Sequence, residues 1–136
     1  MRSGSAYVSD PTQRPLEGLT ILVVDDHVDS VEMLQEYLRS VGAHVAVATS
    51  AKAALAITET LQIDAALVDL RMPCENGEWF LRQFRTSHVR GAATVPVYAV
   101  SGWPQDRLEP ESGFAGYFVK PIDLDALVAT LQPLRR

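Results

Sequence analysis

Three aspartates, one serine and one lysine stand at the ends of apolar runs in this 136-residue chain. Asp25 and Asp26 follow ILVV, residues 21–24, while Asp69 ends DAALVD, Ser101 ends VPVYAVS and Lys120 ends GYFVK. Adjacent carboxylates repel, and a third gathered beside them raises their pKa values unless a cation sits among them. An oxygen donor set that leaves room for water suits a hard divalent ion, Mg2+ rather than a fully caged Ca2+. Lys120 is one of only two lysines against ten arginines. Its compact ammonium can pair with a carboxylate or with phosphate oxygens. Pro121 follows it, and an X-Pro bond can be cis and so hold the lysine in a fixed direction. The Ser101 hydroxyl could donate to an incoming phosphoryl oxygen or cap a following helix. Each residue also has an ordinary role open to it: a helix cap for Asp25 or Asp26, a solvated strand end for Lys120.

The elements that must bring these residues together are legible in the hydrophobic pattern. Short β-branched runs at 21–24, 44–48, 64–69, 95–101 and 116–120 predict five strands. Between the first two, Val28, Val31, Leu34, Leu38 and Val41 recur at helical spacing, and Gly42 closes the stripe. Ser50 caps a second helix over AKAALAITETL, Gly77 to Ser87 form a third, and Asp123 caps a last one over LDALVATL. The fourth crossover, WPQDRLEPESG, holds Pro104 and Pro110 and little periodicity, so its helix is expected to be short or missing. Strands alternating with helices and apolar on both faces predict an α/β chain, a doubly wound parallel sheet. In such sheets ligands bind beyond the carboxyl ends of the strands, where all five polar residues lie.

Composition removes several function classes. Twelve basic against seventeen acidic residues give a net charge of −5, which repels nucleic acid backbones and anionic lipid. A single cysteine, Cys74, forms no internal disulfide and fits a reducing cytoplasm as an inert loop thiol. No apolar run approaches the roughly 18 residues of a membrane span, and the first residues lack the apolar centre of a secretory signal. Residues 1–18, rich in Ser, Gly and Pro, are expected to be a disordered leader or linker, with the domain over 19–136.

VVDD at 23–26, VDLRMPCENG at 68–77, VSG at 100–102 and YFVKP at 117–121 together resemble the receiver domain of bacterial response regulators in two-component signalling, across about residues 19–134. The resemblance implies a five-stranded flavodoxin-like sheet of order 2-1-3-4-5. It implies that Asp69 accepts a phosphoryl group from a histidine kinase or phosphotransfer protein. Asp26 then corresponds to the direct Mg2+ ligand, Asp25 to the acid that holds the ion through water, and the backbone carbonyl of Arg71 to a further ligand. Ser101 matches the hydroxyl that bonds the arriving phosphoryl group, Lys120 the family lysine, and Tyr117 the aromatic that changes rotamer on activation. Such a domain catalyses its own phosphorylation and slow dephosphorylation, and it passes the change to a downstream protein target. The chain ends soon after its last helical pattern, so the expectation is a single-domain regulator or a receiver taken from a hybrid kinase.

Two other readings are weaker. A haloacid dehalogenase-type hydrolase wants a D-x-D pair that neither VDDHVDS nor VDLRMP supplies. A phosphorylation-independent pseudo-receiver would have lost an acid, the acceptor or the lysine, and all are present. The chain departs from the family pattern at Arg71, Gly102 and Trp103, and the interval from Ser101 to Lys120 is short. Arg71 could pair with Glu75 or with phosphate, although an exposed charge is its commoner fate. His27 follows the acid pair; a partly exposed first-turn residue is the expected role rather than a metal ligand or phosphohistidine, as solvent-facing positions are for His44 and His88.

Overall fold

A computed structural model describes residues 14–103 and 112–135. Five strands form one parallel sheet: β1 (Thr20–Val24), β2 (His44–Ala48), β3 (Ala65–Asp69), β4 (Val97–Ser101) and β5 (Gly116–Val119). Their order is β2-β1-β3-β4-β5. The expected α/β architecture and strand order are both present. The helices are α1 (Val28–Ser40), α2 (Ala51–Thr58), α3 (Gly77–Arg85) and α4 (Leu124–Leu131), the last running into a 3-10 turn at Gln132–Leu134. The crossover with Pro104 and Pro110, where a short or missing helix is expected, lies outside the described residues.

The central strands β1, β3 and β4 are buried on both faces because each alternates its side chains between two apolar layers. On one side Ile21, Val23, Leu67 and Val100 meet Leu34 and Leu38 of α1 and Leu127 and Leu131 of α4. On the other, Leu22, Val24, Ala66 and Val68 meet Ala51 and Ala54 of α2 and Phe80 and Phe84 of α3. Each fully buried Leu, Ile or Phe side chain stabilises the fold by roughly 1.5–3 kcal/mol relative to exposure. The Phe80 and Phe84 rings stack with centroids 5.6 Å apart, as i, i+4 spacing on one helix face allows.

Local signals start the helices where the sequence indicates, although α2 stops at Thr58 and α3 at Arg85, short of the expected Leu61 and Ser87. The Ser50 hydroxyl accepts from the Ala53 N–H, and Asp123 accepts from the Ala126 N–H. Gly42 takes φ +107° after α1, a conformation other residues rarely adopt. The predicted α1 stripe is buried at Val31, Leu34 and Leu38, but Val28 is exposed at the first turn. Packing also reaches upstream of Leu19. Leu16 is fully buried with Ile21, Leu38 and Leu131, and its N–H donates to the Val41 carbonyl, so the packed unit starts before Leu19. A lone Leu between Pro15 and Glu17 has no periodicity to announce it.

Candidate functional site

Hydrogen bonds that continue the sheet beyond its strands set the site. The Asp25 N–H bonds the Ala48 carbonyl at 3.1 Å, and the Lys120 N–H bonds the Ser101 carbonyl at 2.8 Å. Asp69 pairs in register with Val100, and Ser101 with Val119. The polar residue after each apolar run therefore stays on the ladder and arrives at the same edge.

There the carboxylates converge. Asp25 is 6% and Asp69 4% exposed, and Ser101 is fully buried. Lys120 Nζ donates to Asp25 Oδ2 at 2.7 Å and to Asp69 Oδ2 at 3.2 Å. The other oxygen of Asp69, Oδ1, accepts from the Arg71 N–H at 3.0 Å. The Lys120–Pro121 peptide is cis. Asp25, Asp26, His27 and Asp69 each offer one ligand atom, and these atoms lie within 4.8 Å of one another.

The two buried acids titrate in opposite directions. Burial works to raise Asp25, but the Lys120 hydrogen bond, the His27 N–H and the Lys120 charge outweigh it and hold the carboxyl below its ordinary range. Burial also raises Asp69, and the nearby Asp25 charge adds to it; the Arg71 N–H and the more distant Lys120 offset only part. Burial lowers Lys120, yet its bonds and charge attraction to the two acids leave it raised. The three-acid repulsion expected from sequence is thus partly met by an ammonium from the chain itself.

Asp26 is the exception. Its Oδ1 is buried with no hydrogen-bond partner, although His27 Nδ1 stands 3.4 Å away. An orphaned carboxylate oxygen beside two other acids is costly unless a cation meets it. The residues fit a hard divalent ion. Asp25 and Asp26 are not the helix cap, because His27 occupies that position and its side chain makes no cap bond.

Asp69 is followed by a tight loop. Cys74 has φ +67°, and the Asn76 side chain accepts from the Trp79 N–H to start α3. A Cβ on Gly77 would stand 2.6 Å from the Asp69 carbonyl oxygen, so only glycine lets α3 begin against the end of β3. Lys52 pairs with Glu75 at 3.7 Å, the acid considered from sequence as a partner of Arg71. Arg71 instead lays its guanidinium over the Trp103 ring, 5.0 Å from the centroid. The Trp103 N–H donates to Ser101 Oγ at 3.0 Å, and the Tyr117 hydroxyl donates to the Trp103 carbonyl at 2.8 Å. Neither this link through Trp103 nor the approach of His27 Nδ1 to Asp25 Oδ1, 3.1 Å, has a signal in the sequence beyond adjacency to the motif residues.

Comparison with known proteins agrees with the geometry. The chain is 31% identical over 119 residues to the transcriptional regulatory protein ZraR of Escherichia coli K12, covering 85% of this chain and 26% of ZraR. It is 30% identical over 122 residues to the sensory/regulatory protein RpfC of Xanthomonas campestris, covering 88% of this chain and 17% of RpfC. The chain therefore spans about a quarter or less of these two relatives. Among solved structures, a CheY-like response regulator receiver domain from Methylobacillus flagellatus superposes with a TM-score of 0.77 at 28% identity, over 86% of this chain and 98% of that one. The receiver domain of sensor histidine kinase PA1611 from Pseudomonas aeruginosa, solved with a magnesium ion coordinated in its active-site cleft, gives 0.75 at 26% identity, over 86% and 97%. With the family model for the response regulator receiver domain matching residues 21–132, the chain belongs to that family.

Proposed function

We propose that this receiver domain takes a phosphoryl group onto Asp69 from the phosphohistidine of a sensor histidine kinase or phosphotransfer protein, and relays the change to a downstream protein in the cytoplasm. The observation that carries this is the disposition of one carboxylate: Asp69 is buried, its Oδ1 is fixed by the Arg71 N–H and its Oδ2 faces Lys120. A carboxylate so held is oriented to attack phosphorus, and positioning with charge neutralisation dominates phosphoryl transfer. An Asp69 oxygen forms the new P–O bond as the P–N bond of the donor breaks, and the imidazole leaves with its electron pair. Mg2+ bound by Asp25, Asp26, Asp69 and the Arg71 carbonyl would supply neutralisation of the phosphoryl oxygens. The PA1611 receiver domain, which carries magnesium in its cleft, supports that choice of ion.

Lys120 moves from bridging two acids to binding a phosphoryl oxygen, a change a flexible ammonium tolerates. The Ser101 hydroxyl can donate to another phosphoryl oxygen, and its oxygen already accepts from Trp103. Movement of Ser101 therefore pulls on Trp103 and, through the Trp103 carbonyl, on Tyr117. Tyr117 is the output of the switch.

Incubation with a small phosphodonor and Mg2+, read by intact mass, tests the reading. One acid-labile phosphoryl group per chain is expected, absent in Asp69→Asn. Uptake by that variant at the wild-type level refutes the acceptor. Absence of uptake by the wild-type chain indicates a pseudo-receiver, and continuous multiple turnover of the donor a hydrolase.

A further inference from the structure

Resting on the cation-binding reading above, we infer that the His27 imidazole is itself a ligand of the ion, and that it shifts the site's preference from Mg2+ toward Mn2+ and later divalent transition metals.

Three consecutive residues present donors to one place. Asp25 Oδ1 accepts from the His27 backbone N–H at 2.9 Å, which turns residue 27 back over the first carboxylate. The ring then lies with Nδ1 3.1 Å from Asp25 Oδ1 and 3.4 Å from Asp26 Oδ1. Asp26 Oδ1 is the buried oxygen that lacks a hydrogen-bond partner. Adjacent ligands of an octahedral ion with bonds of about 2.1 Å stand about 3 Å apart, close to the spacings around Nδ1. Asp69 closes the group from β3. A nitrogen that faces two carboxylate oxygens gains most when a cation lies between them.

Among the described residues the ring makes its polar contacts to the acid pair itself, a hydrogen bond to Asp25 and an approach to Asp26. It is 65% exposed, it caps α1 without a side-chain cap bond, and it lies outside both apolar cores. An imidazole in an otherwise oxygen set discriminates between ions. Mg2+ prefers oxygen and dehydrates reluctantly, whereas imidazole nitrogen suits the transition metals. One histidine at this position therefore sets metal choice without altering the acceptor.

The spacing also suits a plain hydrogen bond from His27 to Asp25, so the test must read coordination directly. Mn2+ is the probe. Electron spin-echo spectroscopy of the Mn2+-loaded full chain is expected to show the 14N coupling of a directly bonded imidazole, replaced by the 15N pattern on labelling with 15N-histidine and lost in His27→Gln. Calorimetric titration is expected to show the ratio of Mn2+ to Mg2+ affinity falling roughly tenfold in His27→Gln. Mn2+ that binds without imidazole coupling, or an unchanged ratio in the variant, overturns the role of His27 and leaves the acid site standing. If neither ion binds the wild-type chain, the cation site and His27 fall together.

Discussion

Lys120 Nζ sits closer to Asp25, at 2.7 Å, than to Asp69, at 3.2 Å, although 95 positions separate Lys120 from Asp25 in the sequence. This asymmetry, together with the His27 N–H on Asp25 and the Asp25 charge beside Asp69, sets the opposite behaviour of the two acids. Asp25 keeps its charge cheaply, while Asp69 is left with a buried carboxylate only partly compensated. A carboxylate held in this way has most to gain when further positive charge arrives.

Removing the ammonium should expose that cost. Lys120→Met leaves Asp25 and Asp69 facing each other without a cation. A fully buried broken pair costs about 3–5 kcal/mol; with a quarter of the Lys120 side chain exposed, about 1–3 kcal/mol is expected after allowing for solvent screening. Urea unfolding in chelator checks it, and added Mg2+ should recover much of the loss. A loss that Mg2+ leaves untouched would mean that the ion does not bind among these acids.

Asp69→Asn should stabilise the metal-free domain at neutral pH. The folded state raises Asp69 above its ordinary 3.8, so this group's contribution is fully present below 3.8 and is lost as pH rises through the folded value. The advantage of the asparagine variant should therefore grow as pH climbs from about 3 toward neutrality. Asp25 runs the other way: its contribution is present above 3.8 and disappears as pH falls through its lowered folded value. Thermal unfolding of both proteins across acid and neutral pH, in chelator, distinguishes them. An advantage largest at the acid end contradicts the assignment.

Gly77→Ala should be damaging out of proportion to one methyl group. Its Cβ would meet backbone at the Asp69 carbonyl, 2.6 Å away, and backbone cannot rotate aside. A cost of about 1–3 kcal/mol is expected, with slower phosphoryl uptake if Asp69 is the acceptor, because β3 must shift. Alanine with wild-type stability and uptake would show that α3 does not press on β3.

Leu16→Ala tests where the folded unit begins. A fully buried leucine packed beside Ile21 and Leu131 should cost about 2–5 kcal/mol on truncation. Chemical denaturation measures it directly. A loss below about 0.5 kcal/mol, the usual range of a surface position, would return residues 14–18 to the linker.

The stack of Arg71 on Trp103 should be measurable as a coupling. A double-mutant cycle of Arg71→Gln and Trp103→Leu is expected to give about 0.5–1 kcal/mol between partly exposed partners. Additive effects would reduce the contact to proximity.

Much of this molecule is readable before folding. The five strands, the caps at Ser50 and Asp123 and the glycine after α1 follow from local rules, because the apolar runs and the cap bonds involve residues only a few positions apart. So does the set of polar residues at strand ends, since a parallel sheet delivers every strand's end to one edge. Tertiary structure alone decided the rest. Which acid Lys120 favours depends on differences of half an ångström between strands far apart in sequence. The fully buried Leu16, the Arg71 stack on Trp103 and the turn of His27 onto Asp25 arise from close approach in space, which leaves no periodicity in the chain. Pattern specifies which residues reach the edge of the sheet; packing specifies which atoms touch there, and the chemistry depends on the atoms.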